Sequence, residues 1–198
     1  RDVHVFLGYA MLGLVAFRLL WGFLGTPYLC HVLTRFGYTD VAYRLLLQET
    51  YPSWLYPVKM GATTIWERWD GIKPDSTFQT PTMNSFNHYA YGAIGDWLYR
   101  TIAGLDTDVK APGYKEIIVK PHLGGDLTHA SATLQTNYGQ LRSAWKIENK
   151  TFSLEVDIPA NTNATIYVPT KNAASVLENG AALSASKDFK IEGVENGY

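Results

Sequence analysis

The chain changes its hydrophobic period several times along its length. Val3 to Leu24 is almost wholly apolar. Its length is about that of a bilayer-spanning helix, roughly 20 residues. His4 and Arg18 interrupt it, and such groups are costly in lipid unless they meet a partner or reach the interface. No small-residue cleavage site follows, which argues against a signal peptide. From Thr26 the pattern becomes amphipathic. Thr26 caps a helix with Pro27 at its first position and Gly37 ends it, placing Leu29, Val32, Leu33 and Phe36 on one face. Thr39 or Asp40 caps a second helix with Val41, Leu45 and Leu46 in a stripe. The short Phe36-Gly37-Tyr38 link makes the two an antiparallel hairpin.

Thr50 to Asn87 shows no strong period and is broken by Pro52, Pro57, Gly61, Gly71, Pro74 and Pro81, so it reads as a long ordered loop. Loops of that length in a compact domain are usually functional. Asn84-Ser85-Phe86-Asn87 then caps a helix over about Tyr89 to Ala103, with Gly104 as terminator. Ala90, Ala93, Ile94, Trp97, Leu98 and Ile102 form its apolar face.

After Gly104 the period becomes two. The alternation predicts strands at Lys115–Val119, Thr128–Gln135, Leu141–Glu148, Ser153–Ile158 and Ala164–Val168, with weaker ones near Ser175–Leu177 and Phe189–Ile191. Gly124-Gly125-Asp126, Asn137-Tyr138-Gly139, Glu148-Asn149-Lys150 and Glu178-Asn179-Gly180 are turn signals between them. Short strands at this spacing argue for an antiparallel β-sandwich. Lys110-Ala111-Pro112-Gly113 marks the boundary. The predicted organisation is therefore an apolar helix over 1–24, a helical domain over 25–109 and a sandwich over 110–198.

Charge and cysteine content narrow the function. A net charge of −1 gives no electrostatic reason to expect nucleic acid as a partner. The single Cys30 excludes an internal disulfide and a multi-cysteine metal site, and reads as a small buried hydrophobe. No His, Asp or Glu cluster has metal-ligand spacing, and His122 and His129 are separated by a turn signal. Asn149-Lys150-Thr151 and Asn163-Ala164-Thr165 match the glycosylation sequon, which matters only in a eukaryotic secretory pathway.

The candidate chemistry lies in Gly61-Ala62-Thr63-Thr64-Ile65-Trp66-Glu67-Arg68-Trp69-Asp70. Glu67 is flanked in sequence by two indoles, with a guanidinium and a second carboxylate beside it. Partial desolvation makes a carboxylate a better base. Flat indoles also stack on the apolar faces of sugars. This combination points to a carbohydrate-processing site; the plainer alternative is a loop with solvated charges and two core tryptophans.

Beyond that loop, several stretches carry a resemblance. They are Gly-Phe-Leu-Gly-Thr-Pro-Tyr-Leu at 22–29, the 61–70 stretch, Ser-Phe-Asn-His-Tyr-Ala-Tyr-Gly-Ala at 85–93, Pro-Gly-Tyr-Lys from 112 and Ile-Ile-Val-Lys-Pro up to 121. From about Gly22 the chain resembles the carboxyl-terminal part of a bacterial α-L-rhamnosidase of glycoside hydrolase family 78. The resemblance implies the end of a catalytic (α/α)6 barrel followed by a β-sandwich, matching the order of helices and strands read above. It also implies an inverting hydrolase acting on rhamnose-containing glycosides or oligosaccharides, with two carboxyl groups roughly 6.5–9.5 Å apart. Glu67 matches the family's general base and His88 a histidine that contacts rhamnose. Trp66 and Trp69 would wall the sugar pocket, while Arg68 and Asp70 would orient Glu67 or bind hydroxyls. No cofactor is required. The family's general acid sits in an Asp-rich motif that is not found before Glu67 here.

The first segment resembles something else. His-Val-Phe-Leu-Gly-Tyr-Ala through Phe-Arg-Leu-Leu-Trp-Gly-Phe-Leu-Gly is similar to a transmembrane helix of the bacterial cytochrome b561 family, in which His4 would occupy a haem-ligand position. That implies membrane contact through residues 3–24 and a junction near Trp21 to Gly25. A haem site of this kind needs a second axial histidine and further spans, which the remaining sequence does not offer. Two other functions stand beside the glycosidase: a membrane cytochrome subunit built on His4, and a sandwich that binds sugar without catalysis. A planar row of exposed Tyr114, Tyr138 and Trp145 would favour sugar binding, and their burial a structural role.

Overall fold

The structure, a computed structural model, describes residues 25–80, 82, 84–183 and 189–193. The apolar stretch Val3–Leu24, with His4, lies outside them. Among the described residues no helix is long and apolar enough to cross a membrane. The chain divides into two compact units, one up to Trp97 together with Gly124–Asp126, and the other made of Leu98–Leu123 and the chain from Leu127 onward.

The first unit is helical. Helix α1 (Thr26–Arg35) starts one residue earlier than the sequence suggests, with Gly25 at the cap position and Pro27 in the first turn. Proline fits there because the first helical N–H groups have no intrahelical acceptor. Gly37, at φ +84°, ends the helix in the left-handed region. Helix α2 (Thr39–Leu46) follows and buries Ala42, Tyr43 and Leu46. The buried faces differ from those expected. On α1 it is Cys30 that is buried, while Tyr28, Val32 and Phe36 are exposed. The neighbours decide this: α1 packs on α2 and on the segment around Tyr89–Trp97. Trp97 anchors that packing, its ring set edge-on to Tyr43 and its indole N–H donating to Thr34 Oγ1 at 2.9 Å.

The stretch expected to be a loop contains a short helix, α3 (Leu55–Lys59). Ser53 Oγ accepts from the Tyr56 amide at 3.0 Å and stabilises its first turn. The helix beyond Asn87 is not uniform. It winds as a 3₁₀ turn over Tyr89–Ala93, as α4 over Ile94–Trp97 and as a π-helical turn over Leu98–Ile102. Its cap is His88, not the Asn84–Asn87 group.

The second unit holds two three-stranded sheets. In one, β1 (Leu105–Thr107) pairs antiparallel with β2 (Glu116–Val119), and β2 pairs with β6 (Asn163–Ile166). In the other, β3 (His129–Thr136), β4 (Gly139–Glu148) and β5 (Thr151–Asp157) form an antiparallel meander. Leu105, Ile117, Val119 and Leu141 make the buried centre, with Leu154, Val156, Ala164 and Ile166 packed against it. Both sheets thus feed one core, as a sandwich requires. One expectation is corrected: the β2–β6 pair is parallel. A parallel pair needs a long crossover, and here the whole β3–β5 meander supplies it. The late hairpin is formed by β7 (Leu177–Glu178) and β8 (Ala181–Ala182) around Asn179-Gly180, and Phe189–Ile191 forms no strand. Strand β1 precedes the anticipated boundary at Lys110–Gly113 and belongs to the sandwich unit.

Candidate active site

The 61–70 stretch and residues 84–88 run side by side. The Glu67 amide donates to Ser85 O at 2.8 Å and the His88 amide to Ile65 O at 2.8 Å. Thr64 Oγ1 donates to Phe86 O. These bonds align the two segments, and Glu67 closes the pairing with its side chain: the Ser85 amide donates to Glu67 Oε2 at 2.7 Å. That is the short distance of a charge-assisted bond. Glu67 Oε1 has no protein partner among the described residues. The carboxylate is therefore half anchored, with one oxygen engaged by main chain and the other available.

The aromatic residues are arranged differently from the simple sandwich of indoles around Glu67. Trp66 is only 4% exposed, its ring set edge-on to Phe86. It supports the site from beneath. Trp69 stacks on Tyr91 with ring centres 3.6 Å apart and meets Trp54 edge-on. The Trp54 indole N–H donates to Tyr91 O at 2.9 Å. Trp54 and Tyr91 are not conspicuous in the sequence; both come from flanking segments and gain their place only through the stack. With Pro57, Val58, Ala62 and Ile65 they line an apolar recess of about 40 Å³.

Polar groups surround this aromatic cluster. Asp70 Oδ2 accepts from Gln79 Nε2 at 2.5 Å. Burial raises the Tyr91 hydroxyl pKa above its ordinary value, with smaller contributions from Tyr51 and Asp70 and an opposing one from Arg68. The same order holds for Tyr56, where burial acts first and Asp70 and Asp75 add to it. Tyr56 donates its hydroxyl to Ile72 O at 3.0 Å, fixing the end of the turn. Asp70 and Arg68 thus share one electrostatic neighbourhood with Tyr91. His88 Nδ1 accepts from the Ala90 amide at 3.4 Å, a weak cap that does not use Nε2.

Other candidate features sit elsewhere. A larger cavity, about 270 Å³, lies in the second unit among Leu98, Tyr99, Ile102 and the Ala130–Ala132 stretch, and no carboxylate or histidine lines it. Trp145 is buried there, its indole N–H donating to Ile102 O at 2.7 Å. Tyr114 packs against the sandwich core and Tyr138 is exposed with Lys115 over its ring. The planar aromatic row that would mark a sugar-binding sandwich is not formed by these three. No group of three or more His, Cys, Asp or Glu side chains among the described residues is placed to hold a metal.

Comparison with known proteins gives the site a context. Residues 14–102 match the bacterial α-L-rhamnosidase six-hairpin glycosidase domain, and residues 104–182 match the bacterial α-L-rhamnosidase C-terminal domain. The first match begins inside the apolar Val3–Leu24 stretch, and nothing found supports the cytochrome b561 likeness. An α-L-rhamnosidase of Formosa agariphila is 48% identical over 170 residues, covering 86% of this chain and 18% of that protein. The crystal structure of the Streptomyces avermitilis α-L-rhamnosidase complexed with L-rhamnose aligns with a TM-score of 0.72 at 46% identity, over 81% of this chain and 16% of that one. The Aspergillus terreus α-L-rhamnosidase structure aligns at 0.71 and 41% identity, over 75% of this chain and 17% of that one. The chain spans less than a fifth of the length of these relatives. The chain thus carries sequence of the six-hairpin glycosidase domain of bacterial α-L-rhamnosidases, followed by that of their C-terminal domain.

Proposed function

We propose that this chain contributes the general base of an inverting α-L-rhamnoside hydrolysis, and that Glu67 is that base. The observation that carries the reading is the half-anchored carboxylate. A base that activates water must hold one oxygen still and keep the other open to accept the proton. The Ser85 amide does the first at Glu67 Oε2, and the free Oε1 serves the second. His88 and Arg68 supply donors for sugar hydroxyls and Asp70 an acceptor. Trp69 on Tyr91 offers an apolar edge to the ring, and Trp66 holds the loop from below.

Inversion also needs a carboxylic acid across the glycosidic bond from the base. The Asp-rich motif that carries it in this family is not found before Glu67 in this sequence. Absence of one proton-transfer partner typically costs about 10²–10⁴ in rate. The 198-residue chain is therefore expected to bind rhamnose weakly and not to turn over a rhamnoside.

An L-rhamnose titration followed by amide and indole NMR tests the assignment. Shifts are expected at Glu67, His88 and the Trp69 indole. Shifts confined to the sandwich would overturn the reading and favour a sugar-binding second domain. The burial of Trp145 and the packing of Tyr114 speak against that alternative.

A further inference from the structure

Resting on the reading of Glu67 as base, a further residue is tied to it. Gly71 follows the Glu67 turn and is buried. Its carbonyl accepts two hydrogen bonds, from Asn84 Nδ2 at 2.9 Å and from the Gln79 amide at 3.1 Å. Its own amide donates to Arg68 O at 3.2 Å. The turn after Glu67 is thereby fastened by Asn84 to the segment whose next residue, Ser85, donates to Glu67 Oε2.

Two further observations single out Asn84. Its Oδ1 is shut off from solvent and has no hydrogen-bond partner among the described residues. A buried acceptor without a donor is unfavourable. The position therefore gains nothing from the amide oxygen, and Nδ2 is the group that the fold uses. The space is also tight. A Cβ on Gly71 would come within 3.0 Å of Asn84 Oδ1, 3.1 Å of the Trp66 ring and 3.2 Å of the Phe86 ring. Gly71, Asn84, Trp66 and Phe86 thus form one packed seat under the Glu67 turn.

The geometry points to Asn84 as a positioning residue for Glu67: its amide pins the Gly71 carbonyl so that the neighbouring Ser85 N–H meets the base carboxylate. Asn84 touches no reacting atom and acts through Ser85. A base displaced by an ångström loses much of its rate advantage, so a rigid seat of this kind belongs to the chemistry.

The test uses the full 198-residue chain and the Ser85 amide proton as probe. An amide bonded to a carboxylate shifts as that carboxylate titrates, and Glu67→Gln identifies the part of the response that belongs to Glu67. In Asn84→Leu, which keeps the branched shape but loses the donor, that response is expected to fall by about half or more. Asn84→Ala is the second variant, with the same expectation. The Trp54 and Trp97 indole N–H resonances, bonded to Tyr91 O and Thr34 Oγ1, are controls for the surrounding fold and are expected to stay in place. Retention of most of the response in either variant overturns the proposal. So does displacement of the control resonances in both, which would make Asn84 a general brace. The rhamnose titration is a separate readout: failure there with this dependence intact would remove the glycosidase reading and leave the Asn84 geometry standing.

Discussion

Glu67 is oriented by a main-chain amide that lies 18 positions further along the chain. The sequence singles it out as a carboxylate between two Trp residues, and its role as candidate base comes from the family resemblance. Its anchoring was not legible there, because Ser85 and Asn84 are ordinary turn residues and only the fold brings them beside Glu67. The same holds for Tyr91, which becomes part of the site through its stack on Trp69. Cys30 is the reverse case: the sequence reads it as a buried hydrophobe, and it is 1% exposed with its thiol pushed up to about 11 by burial. At neutral pH only about one part in ten thousand is thiolate. The native chain is expected to resist a thiol reagent at pH 8 and to react fully once denatured; rapid native labelling would contradict the burial. His122 gives a pH prediction. Burial, helped by Lys120, lowers its pKa below 6.5, so the unfolded chain takes up a proton more readily. Stability is then unaffected above about pH 6.5 and falls as pH drops from there toward the lowered folded value. Denaturant melts of the second unit at pH 7.5 and 5.5, with His122→Gln beside them, check this. The substitution should remove part of the difference, and an unchanged pH dependence would count against the assignment.

At the scale of elements, the strand alternation was readable because one face of each strand of the meander meets the core. Strand β1 was not, since three residues are too few to show a period. The parallel β2–β6 pairing was hidden for another reason: alternation reports burial and says nothing of strand direction. Two buried polar bonds hold the meander to the helical turn beside it within the second unit. Ser143 Oγ donates to Ala103 O and the Trp145 indole to Ile102 O, both at 2.7 Å. They satisfy carbonyls left over at a helix end. Trp145→Ala should destabilise that unit by about 3–5 kcal/mol in denaturant unfolding; a loss under about 1 kcal/mol would show that the indole does not hold the meander to the helical turn. Gly104 is bound more tightly still. It sits at φ +79°, and a Cβ there would lie 2.3 Å from Pro121 N. Because that neighbour is backbone, Gly104→Ala is expected to cost more than the roughly 1 kcal/mol of an ordinary helix-terminating glycine. A thermal melt unchanged from the parent chain would contradict this.

At the scale of the whole molecule, the order of helices followed by strands survives from sequence to structure, and it matches the two domains of the family. The apolar opening segment read as a separate membrane helix did not gain support, because the glycosidase match reaches back to residue 14. Strong hydrophobicity alone does not distinguish a membrane span from a helix buried on several sides in a helical barrel. The function proposed for these residues is a positioned base and part of a sugar site. The most direct measurement is hydrolysis of an aryl α-L-rhamnoside by the purified chain, beside Glu67→Gln. No turnover above buffer is expected from either. Turnover by the parent chain would contradict the missing acid, and turnover that persists in Glu67→Gln would contradict Glu67 as the base.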